Sequence, residues 1–84
     1  MVRVLFFAQL REELDCATLE IPWSDRLTDL DALCDALCEQ GGERWRRALG
    51  RHNIIRAVNQ QVAEGNSILN DGDEVAFFPP VTGG

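Results

Sequence analysis

The chain has 84 residues, with 14 acidic and 8 basic side chains, one histidine and a formal net charge of -6. That length gives one small domain with a thin core, burying about 60–65% of its unfolded surface. The acidic balance argues against nucleic acid as a partner, because neutralising phosphates needs clustered cations; it suits solubility or docking to a basic partner.

The elements are predicted in chain order. In "VRVLFF", Val2, Val4 and Phe6 share one face, and Arg3, Leu5 and Phe7 the other, so the segment reads as a strand apolar on both sides. "AQLREELD" offers at most a short helical turn. "ATLEIPW" alternates as a second strand, with Leu19 and Ile21 on one face, and Pro22 ends it or marks an edge. The first two strands therefore read as a loose hairpin.

Thr28 is expected to cap the principal helix, with Asp31 as its capping-box partner. Leu30, Leu33, Cys34, Leu37 and Cys38 form the buried stripe. The helix runs from Thr28 to about Gln40 and stops at Gly41-Gly42. A short second helix is expected around "ERWRRAL". "NIIRAVN" is a strand that buries either Ile55 and Ala57 or Ile54 and Val58. "QQVAE" is a short return strand, and Leu69 tucks inward from the loop before the Asp71-Gly72 turn. "EVAFF" is the last strand, with Val75 and Phe77 on one face and Ala76 and Phe78 on the other. Pro79-Pro80 have no amide donors, so the ladder ends there.

The first and last strands are the most apolar and belong side by side at the sheet centre. The expected fold is α+β: a mixed sheet of about five strands with one principal helix across it, the β-grasp or ubiquitin-like arrangement. Residues 1–78 form the domain and 79–84 an extended tail.

The other polar groups carry ordinary roles. Three cysteines suit no secreted disulfide framework. Cys34 and Cys38 read as small core residues, and Cys16 is remote in sequence, so no metal site is expected. Arg44, Arg46 and Arg47, with Arg51 nearby, read as a solvated helix face, and His52 as a surface residue. Asp71, Asp73 and Glu74 are explained by turn chemistry. No apolar run has the length of a signal peptide or membrane span, so the expected location is cytoplasmic.

The end, "FFPPVTGG", is the distinctive stretch. Pro79 and Pro80 stiffen the exit from the sheet. Val81, Thr82, Gly83 and Gly84 follow, and the last two lack side chains. Fully extended, the tail reaches roughly 20 Å and delivers a carboxylate on a thread narrow enough for a tunnel. A carboxylate is a poor acyl donor until activated, for example by ATP as an acyl adenylate. Attack by lysine then makes a protein conjugate; attack by sulfide or persulfide makes a terminal thiocarboxylate. Phe7 and Phe78 fall on the sheet face away from the helix. Two large aromatics on adjacent strands make a patch of the kind that marks an interface.

"VLFFAQLREEL", "AVNQ" and "LNDGDEVAFFPPVTGG" together resemble the ubiquitin-like sulfur carriers that serve as small subunits of molybdopterin synthase. The resemblance runs nearly end to end and is weakest through the helix and "GGERWRRALGRHN". It implies that a relative of the ubiquitin-activating enzymes adenylates Gly84 with ATP, and that a sulfur donor protein then converts it to a thiocarboxylate. It implies that the tail enters a large synthase subunit, where the sulfur attacks cyclic pyranopterin monophosphate to build the dithiolene that later holds molybdenum. The chain is then the sulfur-carrying subunit of a sulfurtransferase, with substrate-binding and acid-base groups on the large subunit and no cofactor of its own. The implied assembly has two small subunits flanking a large-subunit dimer. The implied contacts are Phe7, Val62, Phe78, Pro79, Pro80, Val81 and Thr82, with Gly83 and Gly84 as the reactive end. A carrier for thiazole or thiocarboxylate-dependent amino-acid synthesis would use the same tail chemistry. A ubiquitin-like protein modifier, its activated end taken by lysine, is the third reading.

Overall fold

The computed structural model describes residues 1–51 and 53–80. His52 and the last four tail positions, Val81, Thr82, Gly83 and Gly84, lie outside the described residues. The elements are β1 (Val2–Phe6), α1 (Ala8–Leu14), β2 (Thr18–Ile21), α2 (Leu30–Gly41), α3 (Glu43–Leu49), β3 (Ile55–Val58), β4 (Gln61–Val62) and β5 (Glu74–Phe78). The five strands form one sheet in the order β2-β1-β5-β3-β4. The two most apolar strands, β1 and β5, do lie together near the centre, and they run parallel, with Val4 opposite Val75 and Phe6 opposite Phe77. This is the mixed β-grasp sheet.

Strand alternation decides the core. Val2, Val4 and Phe6 from β1, with Val75 and Phe77 from β5, are fully buried beneath the helices. Leu30, Leu33 and Leu37 of α2 close over them, as the apolar stripe requires. The Phe6 ring stacks on Phe77 at 5.7 Å between centroids and meets Trp45 edge-on at 5.3 Å. Both are favoured aromatic arrangements. Trp45 comes from α3, so this short helix is a lid on the sheet centre. Gly41 makes the lid possible: a Cβ there would fall 2.1 Å from Cγ of Trp45.

Three expectations need correction. "AQLREELD" is a helix of seven residues, α1, rather than at most a turn. Leu10 and Leu14 recur one turn apart on its inner face and are both buried. Asp15 then ends it in the left-handed region at φ 51°, a conformation that Asp tolerates better than most side chains. The first two strands do pair antiparallel as the loose hairpin expected, with Val4 opposite Leu19, and α1 forms their connection.

The cap of α2 is Asp29, not Thr28, and its carboxylate accepts from Ala32 N–H at 2.8 Å. Thr28 is occupied elsewhere, because its carbonyl accepts from Leu69 N–H. Asp31 does not close a capping box. Its N–H donates to Asn66 Oδ1 at 3.0 Å, and its carboxylate accepts from Arg56. The loop before β5 is thus stitched to the start of α2, which also carries Leu69 into the core.

The two registers left open for β3 are resolved by its pairing with β5. Val58 lies opposite Val75, and Arg56 opposite Phe77, so Ile54, Arg56 and Val58 face the helices. Ile55 and Ala57 face the other side. Arg56 is a cation on the helix side of the sheet. It donates to Asp31 Oδ1 and to the Gly65 carbonyl, both at 3.0 Å.

The candidate docking face and the tail root

The far side of the sheet follows from the same alternation. Leu5 pairs with Ala76 across β1 and β5. Ile55 pairs with Phe78, and Ala57 with Ala76, across β3 and β5. Val62 pairs with Ala57 across β3 and β4. The ladder extends one residue beyond β1, since Phe7 N–H donates to the Phe77 carbonyl at 3.2 Å. That bond seats Phe7 beside Phe78, with ring centroids 6.5 Å apart and planes at 76°. Phe7 is 46% exposed and Val62 63% exposed, and Phe78 is half-buried between them.

Leu5, Phe7, Ile55, Ala57, Val62, Ala76 and Phe78 therefore form one apolar surface across four strands. Phe7 and Phe78 were expected from strand alternation, and Val62 from the family resemblance. Leu5, Ile55 and the two alanines were not, because only the β3–β5 register puts them there. The face changes character along the strands. At the opposite end lie Arg3, Glu20 and Glu74, with Arg3 paired to Glu20 at 3.8 Å. The apolar part is the part from which the tail leaves, since Phe78 is the last residue of β5. Pro79 is half-buried and Pro80 exposed.

Asn59 anchors the β3–β4 hairpin that presents Val62 to the start of β5. Asn59 and Gln60 both have positive φ, 51° and 69°, the pair of left-handed positions that a tight hairpin turn demands. Asn59 is then fixed to the start of β5: its N–H donates to the Glu74 carbonyl, its side-chain amide to Asp73 Oδ1, and its Oδ1 accepts from Glu74 N–H. Asp73 Oδ2 in turn accepts from Asn70 N–H at 2.8 Å. "AVNQ" and "LNDGDEV" are thus two halves of one hydrogen-bonded corner. Of the acidic cluster there, Asp73 is engaged in turn bonding and Asp71 is paired to the Met1 ammonium.

The remaining candidate groups sit away from this face. On α3, Arg44, Arg46 and Arg47 are exposed. Arg47 pairs with Glu43 one turn back, and Arg51 holds Glu13 of α1 with two bonds at 2.8 and 2.9 Å. Cys34 is half-buried on α2. Burial pushes its thiol above the ordinary value, against the pull of the Arg56 guanidinium, whose Nη1 lies 3.7 Å from the sulfur. The raised value belongs to the folded state, so Cys34 contributes stability that is present below the ordinary thiol value of 9.0 and lost as pH rises through the folded one. Denaturant midpoints measured on either side of that value should fall on the alkaline side. The fall should be smaller in Cys34→Ala.

Comparison with known proteins places these features in a family. The model of the ThiS family matches residues 4–84. The chain is 43% identical over 84 residues to the molybdopterin synthase sulfur carrier subunit of Escherichia coli (strain K12), with 100% of both chains covered. Among solved structures it is similar to SAMP1 from Haloferax volcanii, with a TM-score of 0.74 and 26% identity over 99% of this chain and 98% of that one. It is also similar, at a TM-score of 0.67 and 28% identity over 99% of this chain and 97% of that one, to a chain in the complex of subunits 1 and 2 of molybdopterin-converting factor from Helicobacter pylori 26695. A match that spans the β-grasp sheet, the Asn59 corner and the Gly-Gly end alike means that the chain belongs to the ThiS family.

Proposed function

We propose that this chain is the sulfur carrier subunit of a molybdopterin synthase, carrying sulfur as a thiocarboxylate on Gly84. The observation that carries the reading is the continuity of the apolar face with the tail. Phe78 is a member of that face, and Gly84 lies six residues beyond it. A partner that covers Phe7, Val62 and Phe78 therefore has the tail root at its edge, and the tail can span roughly 20 Å into a site on that partner. The Helicobacter pylori protein is found in a complex of subunits 1 and 2, which supports a large subunit as that partner.

The chemistry follows from the carboxylate. An adenylating enzyme joins it to AMP, with pyrophosphate leaving. A persulfide from a donor protein attacks the acyl carbon and displaces AMP; reductive cleavage of the S–S bond, with electrons from a thiol, leaves the thiocarboxylate. Its sulfur is the nucleophile that attacks cyclic pyranopterin monophosphate on the large subunit. This chain contributes the carried atom and the docking surface. Pro79, Pro80, Val81 and Thr82 line the path, and Gly83 lets it narrow. ATP is consumed by the activating enzyme, and no cofactor resides on this chain.

SAMP1 is by name a small archaeal modifier protein, and the similarity to it favours a second reading, a protein modifier whose activated end is taken by an amine. One experiment separates the two. Wild type, a Gly84 deletion and a one-residue extension are assayed with activating enzyme, sulfur source, large subunit and pyranopterin. Dithiolene formation is expected from wild type alone, with matching melting temperatures for all three. Normal turnover by the extended chain, its terminus confirmed by mass, overturns the terminal-thiocarboxylate reading. Amide conjugates without dithiolene favour the modifier.

A further inference from the structure

An activated acyl terminus is a hazard to the protein that carries it, because any free amine or thiolate nearby can consume it. The distribution of nucleophiles in this chain bears on that hazard. All 8 cationic side chains are arginine, and no lysine is present. A guanidinium stays protonated and is not an acyl acceptor under conditions where a lysine offers free amine. The remaining amine is the α-amino group of Met1, and the fold holds it apart from the tail root. β1 and β5 run parallel, so Met1 lies beside the start of β5, where its carbonyl accepts from Gly72 N–H at 3.0 Å. Phe78 is a strand length away, about 17 Å, so the roughly 20 Å tail could reach Met1 only by doubling back along the sheet at near full extension. The ammonium itself is paired with Asp71.

The thiols are guarded by packing. Cys38 is buried against the core and Cys34 half-buried. Desolvation keeps both in the unreactive thiol form. Cys16 is half-buried, and its S–H is directed at the Thr18 carbonyl at 3.6 Å.

We infer that this surface is built to be inert toward the chain's own activated terminus, so that copies meeting in solution do not acylate one another and the acyl group is kept for an external sulfur nucleophile. The inference rests on Gly84 being an activated acyl carrier. The excluded step is attack of an amine on the acyl carbon: a C–N bond forms, the C–O bond to AMP breaks, AMP departs, and the attacking ammonium has given its proton to water.

The test bypasses the activating enzyme, so its outcome is independent of whether the thiocarboxylate reading holds. The full chain is prepared by intein thiolysis as a Gly84 thioester of mercaptoethanesulfonate and incubated alone at mildly alkaline pH. The same is done for the double variant Arg44→Lys with Arg47→Lys, both positions being exposed on α3 and remote from the docking face. A lysine-containing peptide, added in parallel samples, shows that each thioester is competent. Wild type should be lost to hydrolysis, while the double variant yields at least about tenfold more amide-linked dimer, read by mass as two thioester chains less one mercaptoethanesulfonate, or as two free-acid chains less one water once the remaining thioester has hydrolysed, since lysine supplies free amine where arginine does not. Two outcomes overturn the inference. One is wild type forming dimer, or a ring through Met1, as fast as the variant. The other is a variant that acylates the peptide yet forms no dimer.

Discussion

Phe78→Arg is expected to weaken binding of the large subunit by at least about 100-fold while leaving the chain folded, whereas Phe77→Arg unfolds it. The two residues are neighbours in sequence and differ only in the face they occupy. Phe77 has no exposed surface and stacks on Phe6. A guanidinium there would be an unpaired charge in a core that contains no buried polar side chain among the described residues. Phe78 is half-buried beside Phe7, Ile55 and the tail root. An arginine at 78 can direct its charge into water in the free chain, but docking would desolvate it. Circular dichroism and titration calorimetry with the large subunit separate the effects. Tight binding by Phe78→Arg would assign the apolar face to something other than that partner.

Phe6→Ala is expected to cost about 3–5 kcal/mol, comparable to much of the stability of a domain this small. The ring fills the space between Phe77 of the sheet and Trp45 of α3, so its removal opens a cavity and unseats the lid together. The change should appear as a large drop in denaturation midpoint, accompanied by a red shift of tryptophan emission at lower denaturant than in wild type. Truncating Phe7 to alanine, one residue along, removes a ring that is already 46% exposed. It should shift the midpoint little and act on binding instead. An equal loss of stability from both variants would contradict the division of β1 into two faces.

The central pair of strands and the principal helix were legible because their signals are local. β1 and β5 carry large apolar residues at period two, and α2 carries Leu30, Leu33 and Leu37 at period 3.6. The separation of Phe6 from Phe7, and of Phe77 from Phe78, follows from the same alternation, so the candidate face was visible in outline. Its extent was not. Ile55 and Ala57 had two allowable orientations, and hydrogen bonding to β5 selected one. Burial in this fold depends on which strands neighbour one another, and a single strand does not encode its neighbour.

The α2 cap shows the same division. Thr28 and Asp29 are both competent caps by residue type. The choice fell to Asp29 because the loop at Leu69 claims the Thr28 carbonyl from far along the sequence. Likewise "AQLREELD" is too short to be a convincing helix alone, and becomes one because Leu10 and Leu14 find a core to enter. The sequence by itself determined the strand alternation, the principal helix and the chemistry available at the Gly-Gly end, since these depend on residue type and spacing. Only the tertiary structure decided the β3 register, the helix α1, the Asn59 corner and the full docking face, since each depends on contacts between segments distant along the chain.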